Sequence, residues 1–239
     1  IKFDDNTNDL VDYLIAADGI FSHTRSFFEG RKNKPKFKNA IAIRSIIKLK
    51  NNHTIDKKNI NLIMCKKAHF VIYPINNQDE LNIVCIIRDK NFDPDNIKET
   101  IDKKILNQNP EFKQWFSGEL SSWPLYSTHN ILPPSNKKIF YLGDAFHGFL
   151  PTMAQGASQS IESAYELFNL LKNENINLQN SYFKNRLKRI KIIKIRTDIN
   201  FFTFHVSNPI IKIIRNFFLK KLVKNKSFMR SYLGEVYKN

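Results

Sequence analysis

The residues best suited to chemistry lie in the segment from Phe140 to Leu171, which reads FYLGDAFHGFLPTMAQGASQSIESAYELFNLL. A hydrophobic strand runs into Asp144, a loop with Pro151 follows, and a helix begins near Ala157. A carboxylate at a strand end accepts hydrogen bonds from ribose-like hydroxyls, and a helix N-terminus offers unpaired N–H groups to negative charge. The pattern predicts a site for a polyhydroxylated, partly anionic ligand. The alternative is an ordinary strand, turn and helix with an aspartate cap.

A second segment of this kind, YLIAADGIFSHTR, covers residues 13–25. The apolar run over residues 13–17 is short and is followed by Asp18-Gly19, which predicts a buried strand that ends in a turn. Ser22 is a suitable helix N-cap, and Arg25 falls in the first helical turn. Taken alone, Asp-Gly after a strand is an ordinary turn signal.

Together the two segments resemble the motifs of the single-component FAD-dependent aromatic hydroxylases, the flavoprotein monooxygenases with the para-hydroxybenzoate hydroxylase fold. The first segment is similar to the family's "DG" motif at Ala17, Asp18, Gly19, Ser22 and Arg25. The second is similar to its "GD" motif at Gly143, Asp144, Ala145, His147, Pro151, Gln155, Gly156 and Ala157. That second motif and Trp123-Pro124-Leu125-Tyr126 are most similar to salicylate-hydroxylase-like members. The resemblance covers residues 12–172, and more loosely the C-terminal helices.

This resemblance implies a flavin enzyme in which NAD(P)H reduces FAD and O2 supplies the oxygen that hydroxylates an activated phenolic ring. Asp144 would bind a ribityl hydroxyl, and Gly156 would let the backbone pass close to the isoalloxazine ring. The helix from Ala157 would stabilise negative charge on the N1–C2=O edge. The implied cofactor-binding residues are Asp18, Gly19, Arg25, Gly143, Asp144, His147, Pro151, Gln155, Gly156 and Ala157.

The roles of several of these residues have two interpretations each. The resemblance implies that Asp18 serves at the pyrophosphate region of FAD and in NAD(P)H binding. The alternative is that Asp18 only shapes a turn. Arg25 either supports its loop or meets a phosphate. His147 and Gln155 either face the flavin or form hydrogen bonds within the loop. No residue is assigned as a catalytic base, and substrate contacts are expected from alternate positions of the middle sheet, such as His69, Val71 and Tyr73.

The chain departs from the family on the ADP side of the cofactor. The family binds this part of FAD with a Gly-x-Gly-x-x-Gly turn near its N-terminus, whereas this sequence has only 7 glycines and none form that motif. We therefore expect that the sequence lacks an N-terminal portion on the order of a hundred residues or more, which holds the first βαβ unit. A truncated gene, an incomplete sequence and half of a split enzyme are the three alternatives.

The composition argues against several other classes of function. A net charge of +16 suggests nucleic-acid binding, but the lysines are scattered in a general Lys/Asn/Ile bias, which argues against a nucleic-acid partner. Cys65 and Cys85 are expected to be reduced core residues. His53, His69 and His129 show no metal-ligand spacing, so no metal site is predicted. No apolar run is long enough to predict a membrane-spanning helix, and we expect a cytoplasmic protein.

The other elements must position the two motifs. Predicted strands cover residues 40–50, 60–65, 68–75, 81–89, 120–133 and 138–142, with a hairpin turn over 76–79 and a basic link over 31–39. Predicted helices cover 94–106, a short stretch after Pro110, then 156–172, 178–204 and 210–223.

These elements predict an incomplete α/β nucleotide-binding domain with an inserted α+β mixed-sheet substrate domain and C-terminal helices. Residues 1–35 and 136–175 are assigned to the FAD-binding domain, 36–135 to the substrate-side sheet domain and 176–239 to the C-terminal helices.

The helix predicted over residues 210–223 has an apolar and a basic face. Packing against the domain body is the ordinary interpretation, and peripheral contact with the inner face of a membrane is the alternative. Two other functions also remain open. One is a related flavoprotein oxidoreductase with non-hydroxylating chemistry. The other is a basic, non-catalytic module that binds nucleic acid or a membrane.

Overall fold

The computed structural model describes residues 1–30, 34–48, 55–56, 58–91, 93–128, 132–173 and 177–237. Their strands are β1 (Leu14–Ala16), β2 (Lys36–Lys48), β3 (Asn61–Cys65), β4 (Ala68–Ile75), β5 (Glu80–Arg88), β6 (Leu120–Ser127) and β7 (Ile139–Tyr141). Their α-helices are α1 (His23–Glu29), α2 (Ile97–Ile101), α3 (Gly156–Lys172), α4 (Leu178–Phe204), α5 (Pro209–Leu222) and α6 (Lys226–Tyr237). Two units arise, one from Ile1–Lys36 with Tyr126–Asp198 and the other from Phe37–Leu125 with Ile199–Asn239.

The first unit is built on a parallel pair of strands. β1 and β7 pair in register from Leu14 opposite Ile139 to Ala16 opposite Tyr141. Phe140 and Tyr141 form the core together with Phe146 of the following loop and with aromatic side chains of α4. The prediction of a buried strand over residues 13–17 is wrong in part, because Ala16 is buried whereas Ile15 is 47% exposed. Apolar composition does not bury a side chain when its face of the strand is left open.

The second unit contains a five-stranded sheet in the order β3-β4-β5-β2-β6. β4 and β5 are antiparallel neighbours, which confirms the predicted hairpin. The core lies on one face of this sheet, where Phe70, Ile72 and Ile83 pack with Trp115. The basic link predicted over 31–39 is wrong from residue 36 onward, because β2 begins at Lys36; residues 31–33 lie outside the described part. Lysines suit a strand when alternate side chains face solvent.

The connection between β5 and β6 is helical, as predicted, but it is less regular than one continuous α-helix. Asp93 accepts a hydrogen bond from the Asp95 N–H and opens a 3₁₀ turn over Pro94–Asn96. α2 follows, and the last turn widens into a π-helix over Asp102–Leu106. Ile101 and Ile105 are buried, so this segment contributes one apolar side to the core of the second unit.

The two cysteines lie in strands, as expected. Cys65 of β3 is half-buried and Cys85 of β5 is buried, and both are free thiols. Burial raises the pKa of each thiol. His53 and His129, which the sequence also brought into consideration, lie outside the described residues.

α5 begins where predicted but does not bury its apolar side chains. The Asn208 side chain accepts hydrogen bonds from the N–H groups of Ile210 and Ile211, and Pro209 occupies the first helical position. The expected packing of this helix is wrong for its large apolar residues, because Ile210, Ile211, Ile213, Ile214, Phe217 and Phe218 are all exposed. Arg215 is the buried side chain, and it donates to the Thr203 carbonyl. Within the described residues, no helix has the length and apolar character needed to cross a membrane.

A buried histidine pair in the second unit connects the sheet to the end of α4. His205 Nδ1 lies 2.6 Å from the Phe201 carbonyl. The other ring nitrogen of His205 lies 3.0 Å from His69 Nδ1 and 3.3 Å from the Ile86 carbonyl. Burial, together with the charge that His205 would carry, lowers the pKa of His69 to about 3. Burial also lowers the pKa of His205. Both rings are therefore neutral at pH 7.

We expect the second unit to lose stability as the pH falls below 6.5, the ordinary histidine pKa, toward about 3, the pKa of His69 in the folded state. Because the folded state holds these rings neutral, unfolding takes up protons in this window, and His69 contributes a slope of about 1.4 kcal/mol per pH unit. Urea unfolding followed by tryptophan fluorescence measures this slope. His69→Phe should flatten it, whereas His23→Gln, at an exposed position, should not; equal slopes in all three proteins would contradict the assignment.

Candidate functional site

The turns of both sequence motifs begin at the same edge of the first unit's sheet. β1 and β7 are parallel, so the turns that follow Ala16 and Tyr141 both start at the carboxyl end of the pair. The Leu142 N–H extends this pairing by donating to the Ala16 carbonyl at 2.9 Å. The structure therefore brings the turns at Asp18 and Asp144 together at one edge.

Polar side chains of the first turn accept hydrogen bonds from the N-terminus of α1. Gly19 has a φ of +80°, which favours glycine. Ser22 caps the helix by accepting from the Arg25 N–H, and Asp18 Oδ2 accepts from the Thr24 N–H at 3.0 Å. Desolvation is the largest single influence on Asp18 and acts to raise its pKa. Hydrogen bonds from Ser22 and Thr24 together outweigh it, so the pKa lies below its ordinary value. The Asp18 carboxylate is ionised, and one of its oxygens accepts a hydrogen bond from the backbone that follows it.

Arg25 connects the two motifs. Its buried guanidinium donates from Nη1 to the Ala145 carbonyl at 2.8 Å and from Nη2 to the Ile20 carbonyl at 3.1 Å. These two carbonyls belong to the loops after β7 and β1. The contacts favour the loop-supporting alternative for Arg25 over direct binding of a phosphate.

The second turn places an exposed carboxylate at the edge of the sheet. Gly143 has a φ of +54°, and a Cβ built on it would lie 2.5 Å from Ser160 Oγ of α3. Glycine therefore allows the turn to pack directly against the helix. The next side chain, Asp144, is exposed, and within the described part of the chain no group donates a hydrogen bond to its carboxylate. Desolvation by the surrounding protein raises its pKa.

The N-terminus of α3 is also unsatisfied by side chains. Gln155 is the N-cap residue, and no side chain caps the helix. The first N–H groups of a helix have no carbonyl partner within it, so those of Gly156 and Ala157 remain donors. A Cβ built on Gly156 would meet nothing within 4 Å, so packing within the chain does not require glycine here. Pro151 and Ala157 are exposed and Gln155 is buried.

His147 lies in the core and not on the exposed side of the loop. Its Nε2 is 3.4 Å from Ser163 Oγ, which itself donates to the Gln159 carbonyl, so His147 Nε2 carries the donated proton. Burial, with a contribution from the charge of Arg186, lowers the pKa of His147 to about 3. A neutral, fully enclosed imidazole suits the loop-supporting alternative for this residue.

Sequence reasoning missed an ionic cluster beneath α3, in which a buried arginine lies between two half-buried glutamates. Arg186 of α4 is 2% exposed and lies 3.5 Å from both Glu162 and Glu166 of α3. Its Nη2 donates to Gln159 Oε1 at 2.7 Å, and Gln159 Nε2 lies 3.3 Å from Gln155 Oε1. The i, i+4 spacing of the two glutamates was a visible signal, but Arg186 could not be distinguished among the other basic residues of a basic helix.

The middle sheet does not present His69 as a free substrate contact, because this residue is buried and paired with His205. Val71 and Tyr73, its neighbours on the same face of β4, are half-buried. The described residues include no group of histidine, cysteine or acidic side chains that could hold a metal ion.

Comparison with known proteins identifies the family. The family model described as squalene epoxidase matches residues 11–222, which is most of the chain. The chain belongs to the squalene epoxidase family. This match confirms the resemblance to FAD-dependent monooxygenases that the two motifs indicated.

Curated relatives of this member of the squalene epoxidase family include enzymes that act on aromatic rings. Salicylate hydroxylase of Pseudomonas putida is 26% identical over 200 residues, covering 72% of this chain and 45% of the relative. The 6-hydroxynicotinate 3-monooxygenase of Bordetella bronchiseptica is 26% identical over 179 residues, covering 69% of this chain and 45% of the relative. The chain therefore spans somewhat less than half the length of these relatives.

Two solved structures show that the fold is shared with other proteins. Klebsiella pneumoniae HpxO, solved with FAD and uric acid, superposes with a TM-score of 0.82 at 13% identity and covers 99% of this chain and 62% of its own. A salicylate hydroxylase substrate complex gives 0.79 at 18% identity, covering 100% of this chain and 64% of its own. At these identities the similarity establishes the mixed α/β fold alone.

Proposed function

We propose that this chain forms the flavin- and substrate-side part of an FAD-dependent monooxygenase that hydroxylates a small aromatic, phenolic substrate with NAD(P)H and O2. The observation that carries this proposal is the exposed carboxylate of Asp144 beside α3, whose N-terminus has no side-chain cap. The names of the aromatic-ring monooxygenases among the relatives, and the FAD bound to HpxO, support it. In this proposal the first unit holds FAD and the five-stranded sheet provides the substrate side.

The exposed groups at the shared edge fit a flavin. Asp144 can accept a hydrogen bond from a ribityl hydroxyl, since no described group occupies its carboxylate. The N–H groups of Gly156 and Ala157 can donate to an anionic ring edge, strengthened by the dipole of α3. The open space at Gly156 allows a flat ring to approach the backbone. When bound, FAD supplies the oxygen-transfer chemistry, and these residues orient it and exclude water.

Other motif residues maintain the conformation of the loops at this edge. Arg25 ties the two loops together, Asp18 fixes the start of α1, and His147 supports the loop from within. In the proposal Gly19 and Gly143 supply the positive-φ turns, Pro151 fixes the loop beside the ring, and Gln155 holds the N-terminus of α3 through Gln159.

We expect Asp144→Ala to weaken FAD binding about 10- to 100-fold, because a hydrogen bond to a charged group contributes about 1.5–3 kcal/mol. Quenching of flavin fluorescence during titration with the purified protein measures the affinity. Asp12→Asn, at an exposed carboxylate ahead of β1, is the matched control and should bind FAD like the wild type. Unchanged affinity in Asp144→Ala would remove Asp144 from the site.

The reaction is tested by oxygen-dependent NADPH and NADH consumption with a panel of phenolic acids, combined with product analysis. Hydroxylated product in proportion to reduced cofactor consumed supports the proposal. Consumption without hydroxylated product from any phenol would favour the related flavoprotein with non-hydroxylating chemistry. Epoxide formation from an alkene panel would instead assign the reaction named in the family description.

We also propose that α5 makes peripheral contact with a membrane surface. Its apolar side chains are exposed, and Lys212, Lys220 and Lys221 provide positive charge that complements anionic headgroups. Flotation with vesicles of phosphatidylcholine and phosphatidylserine tests the contact. Wild-type protein should float with the vesicles. Phe217→Glu should remain in solution, and Asn225→Gln, a polar substitution after the helix, should float. Binding that survives Phe217→Glu but disappears in high salt would indicate a purely electrostatic basic module.

A further inference from the structure

A buried arginine fixes the orientation of a glutamine side chain on α3. Arg186 of α4 is 2% exposed, and its Nη2 donates to Gln159 Oε1 at 2.7 Å. A guanidinium has donors only, so the atom of Gln159 that it contacts must be the oxygen, and the amide nitrogen of Gln159 is the opposite end. The contact with Arg186 therefore removes the usual ambiguity between the two ends of a glutamine amide.

The fixed amide of Gln159 orients a second glutamine one helical turn earlier. Gln159 Nε2 donates to Gln155 Oε1 at 3.3 Å. Because an amide nitrogen cannot accept a hydrogen bond, the end of Gln155 that faces Gln159 must be its oxygen. Both glutamines are buried, so bulk water does not compete for this contact. The two side chains transmit one constraint from Arg186 to Gln155.

Gln155 occupies the N-cap position of α3, where a side-chain oxygen usually has a different role. An N-cap oxygen accepts from the N–H of the second or third helical residue, which are Ala157 and Ser158 in this helix. The Gln155 oxygen instead faces Gln159, and among the described residues no side chain caps α3. The contact with Gln159 therefore keeps an acceptor of the protein away from N–H groups that a ligand can use.

The formal charges around Arg186 cancel locally. Its Nη1 lies 3.5 Å from Glu162 and 3.5 Å from Glu166, and Arg189 Nη2 lies 2.8 Å from Glu162. Two cations thus face two carboxylates, and such a cluster has little net charge to act at a distance. The influence of Arg186 on the start of α3 is therefore carried by the orientation of hydrogen bonds and not by its charge.

We propose that Arg186 is a positioning residue for the flavin. Acting through Gln159, it holds the oxygen of Gln155 inside the protein and leaves the first N–H groups of α3 open to the negative charge of a reduced flavin ring. This inference rests on the proposed function, in which the N-terminus of α3 meets the anionic edge of the ring. Without the constraint, the Gln155 oxygen turns to cap α3, and the reduced ring loses these donors.

Amide hydrogen exchange of the FAD-free protein tests whether this contact keeps α3 uncapped. Gln159→Met removes the contact without changing any charge, so the Gln155 oxygen should cap the helix. The backbone N–H groups of Ala157 and Ser158 should then exchange at least about fivefold more slowly than in the wild type, whereas a merely structural loss would make them exchange faster. Gln114→Met, the same change at an exposed position, should leave both rates unaltered. Equal or faster exchange in Gln159→Met would overturn the proposal.

The midpoint potential of bound FAD, measured by titration against a reference dye, tests the consequence for the flavin. Gln159→Met and Arg186→Met should each weaken the binding of reduced relative to oxidised FAD at least about tenfold, which lowers a two-electron potential by about 30 mV. The double variant should show no larger shift, because both changes interrupt the same path. Arg186→Lys, which retains a cation with donors only, should recover most of the wild-type potential.

The results distinguish a failure of this inference from a failure of the proposed function. A lower potential in Arg186→Met but not in Gln159→Met would overturn the inference, because the effect would then come from the charge of Arg186. A wild-type potential in both variants would overturn it as well. No FAD bound by the wild-type protein would overturn the proposed function, and the exchange rates at Ala157 and Ser158 would still decide whether the Gln159 contact keeps the N-terminus of α3 open.

Discussion

Arg186→Ala is expected to lower the free energy of unfolding of the first unit by about 1–3 kcal/mol, because it leaves a buried amide oxygen and two half-buried carboxylates without this donor. Arg186 is almost fully buried between α3 and α4 and lies 3.5 Å from each of Glu162 and Glu166. It also donates to Gln159, so its removal leaves an unsatisfied amide oxygen beneath α3. Urea unfolding followed by far-ultraviolet circular dichroism, which reports on these long helices, measures the loss.

The size of this effect should depend on the charges that remain. Lys194→Ala removes an i, i+4 pair with Asp198 nearer the surface and should cost no more than about 0.5 kcal/mol. Arg186→Met combined with Glu162→Gln and Glu166→Gln should recover part of the loss, since it removes both carboxylates together with the cation that lies between them. A triple variant as unstable as Arg186→Ala would show that packing, and not uncompensated charge, is the cause.

Elements governed by local chemistry could be predicted closely from the sequence. The capping of α1 by Ser22 and the start of α5 at Pro209 depend on residues within one helical turn, and both occur where predicted. The β4–β5 hairpin follows from two apolar runs separated by a polar turn. The two motif turns meet at one edge because β1 and β7 pair in parallel, and this pairing joins strands more than a hundred residues apart in the sequence.

Features that depend on tertiary partners could not be predicted. His69 was expected to face substrate, but its environment is set by His205, which lies 136 residues away. His147 was placed among the cofactor-binding residues on motif position alone, yet the packing of α3 encloses it. The exposure of α5 was likewise hidden, because an apolar helix face has the same pattern whether or not another element covers it. Spacing identifies a face but does not identify what covers it.

Two glycines of the second motif should respond in opposite ways to alanine, because one is required by packing and the other is not. Gly143→Ala should lower stability by about 2–4 kcal/mol, since the new methyl combines a positive φ with a contact 2.5 Å from Ser160 Oγ. Gly156→Ala should raise stability by about 0.5–1 kcal/mol, because it lies in a helix and its Cβ would meet nothing within 4 Å. Urea unfolding measures both values.

The effect of Gly156→Ala on FAD binding should be opposite in sign to its effect on stability. If the open space at Gly156 is where the flavin ring approaches, Gly156→Ala should weaken FAD binding at least about tenfold although the protein is more stable. Ser160→Gly should relieve part of the cost of Gly143→Ala, because it removes the atoms that the methyl meets but leaves the strained φ. A Gly156→Ala protein that gains stability and binds FAD as tightly as the wild type would place the flavin elsewhere, since a ring in contact with this backbone cannot accommodate the methyl group.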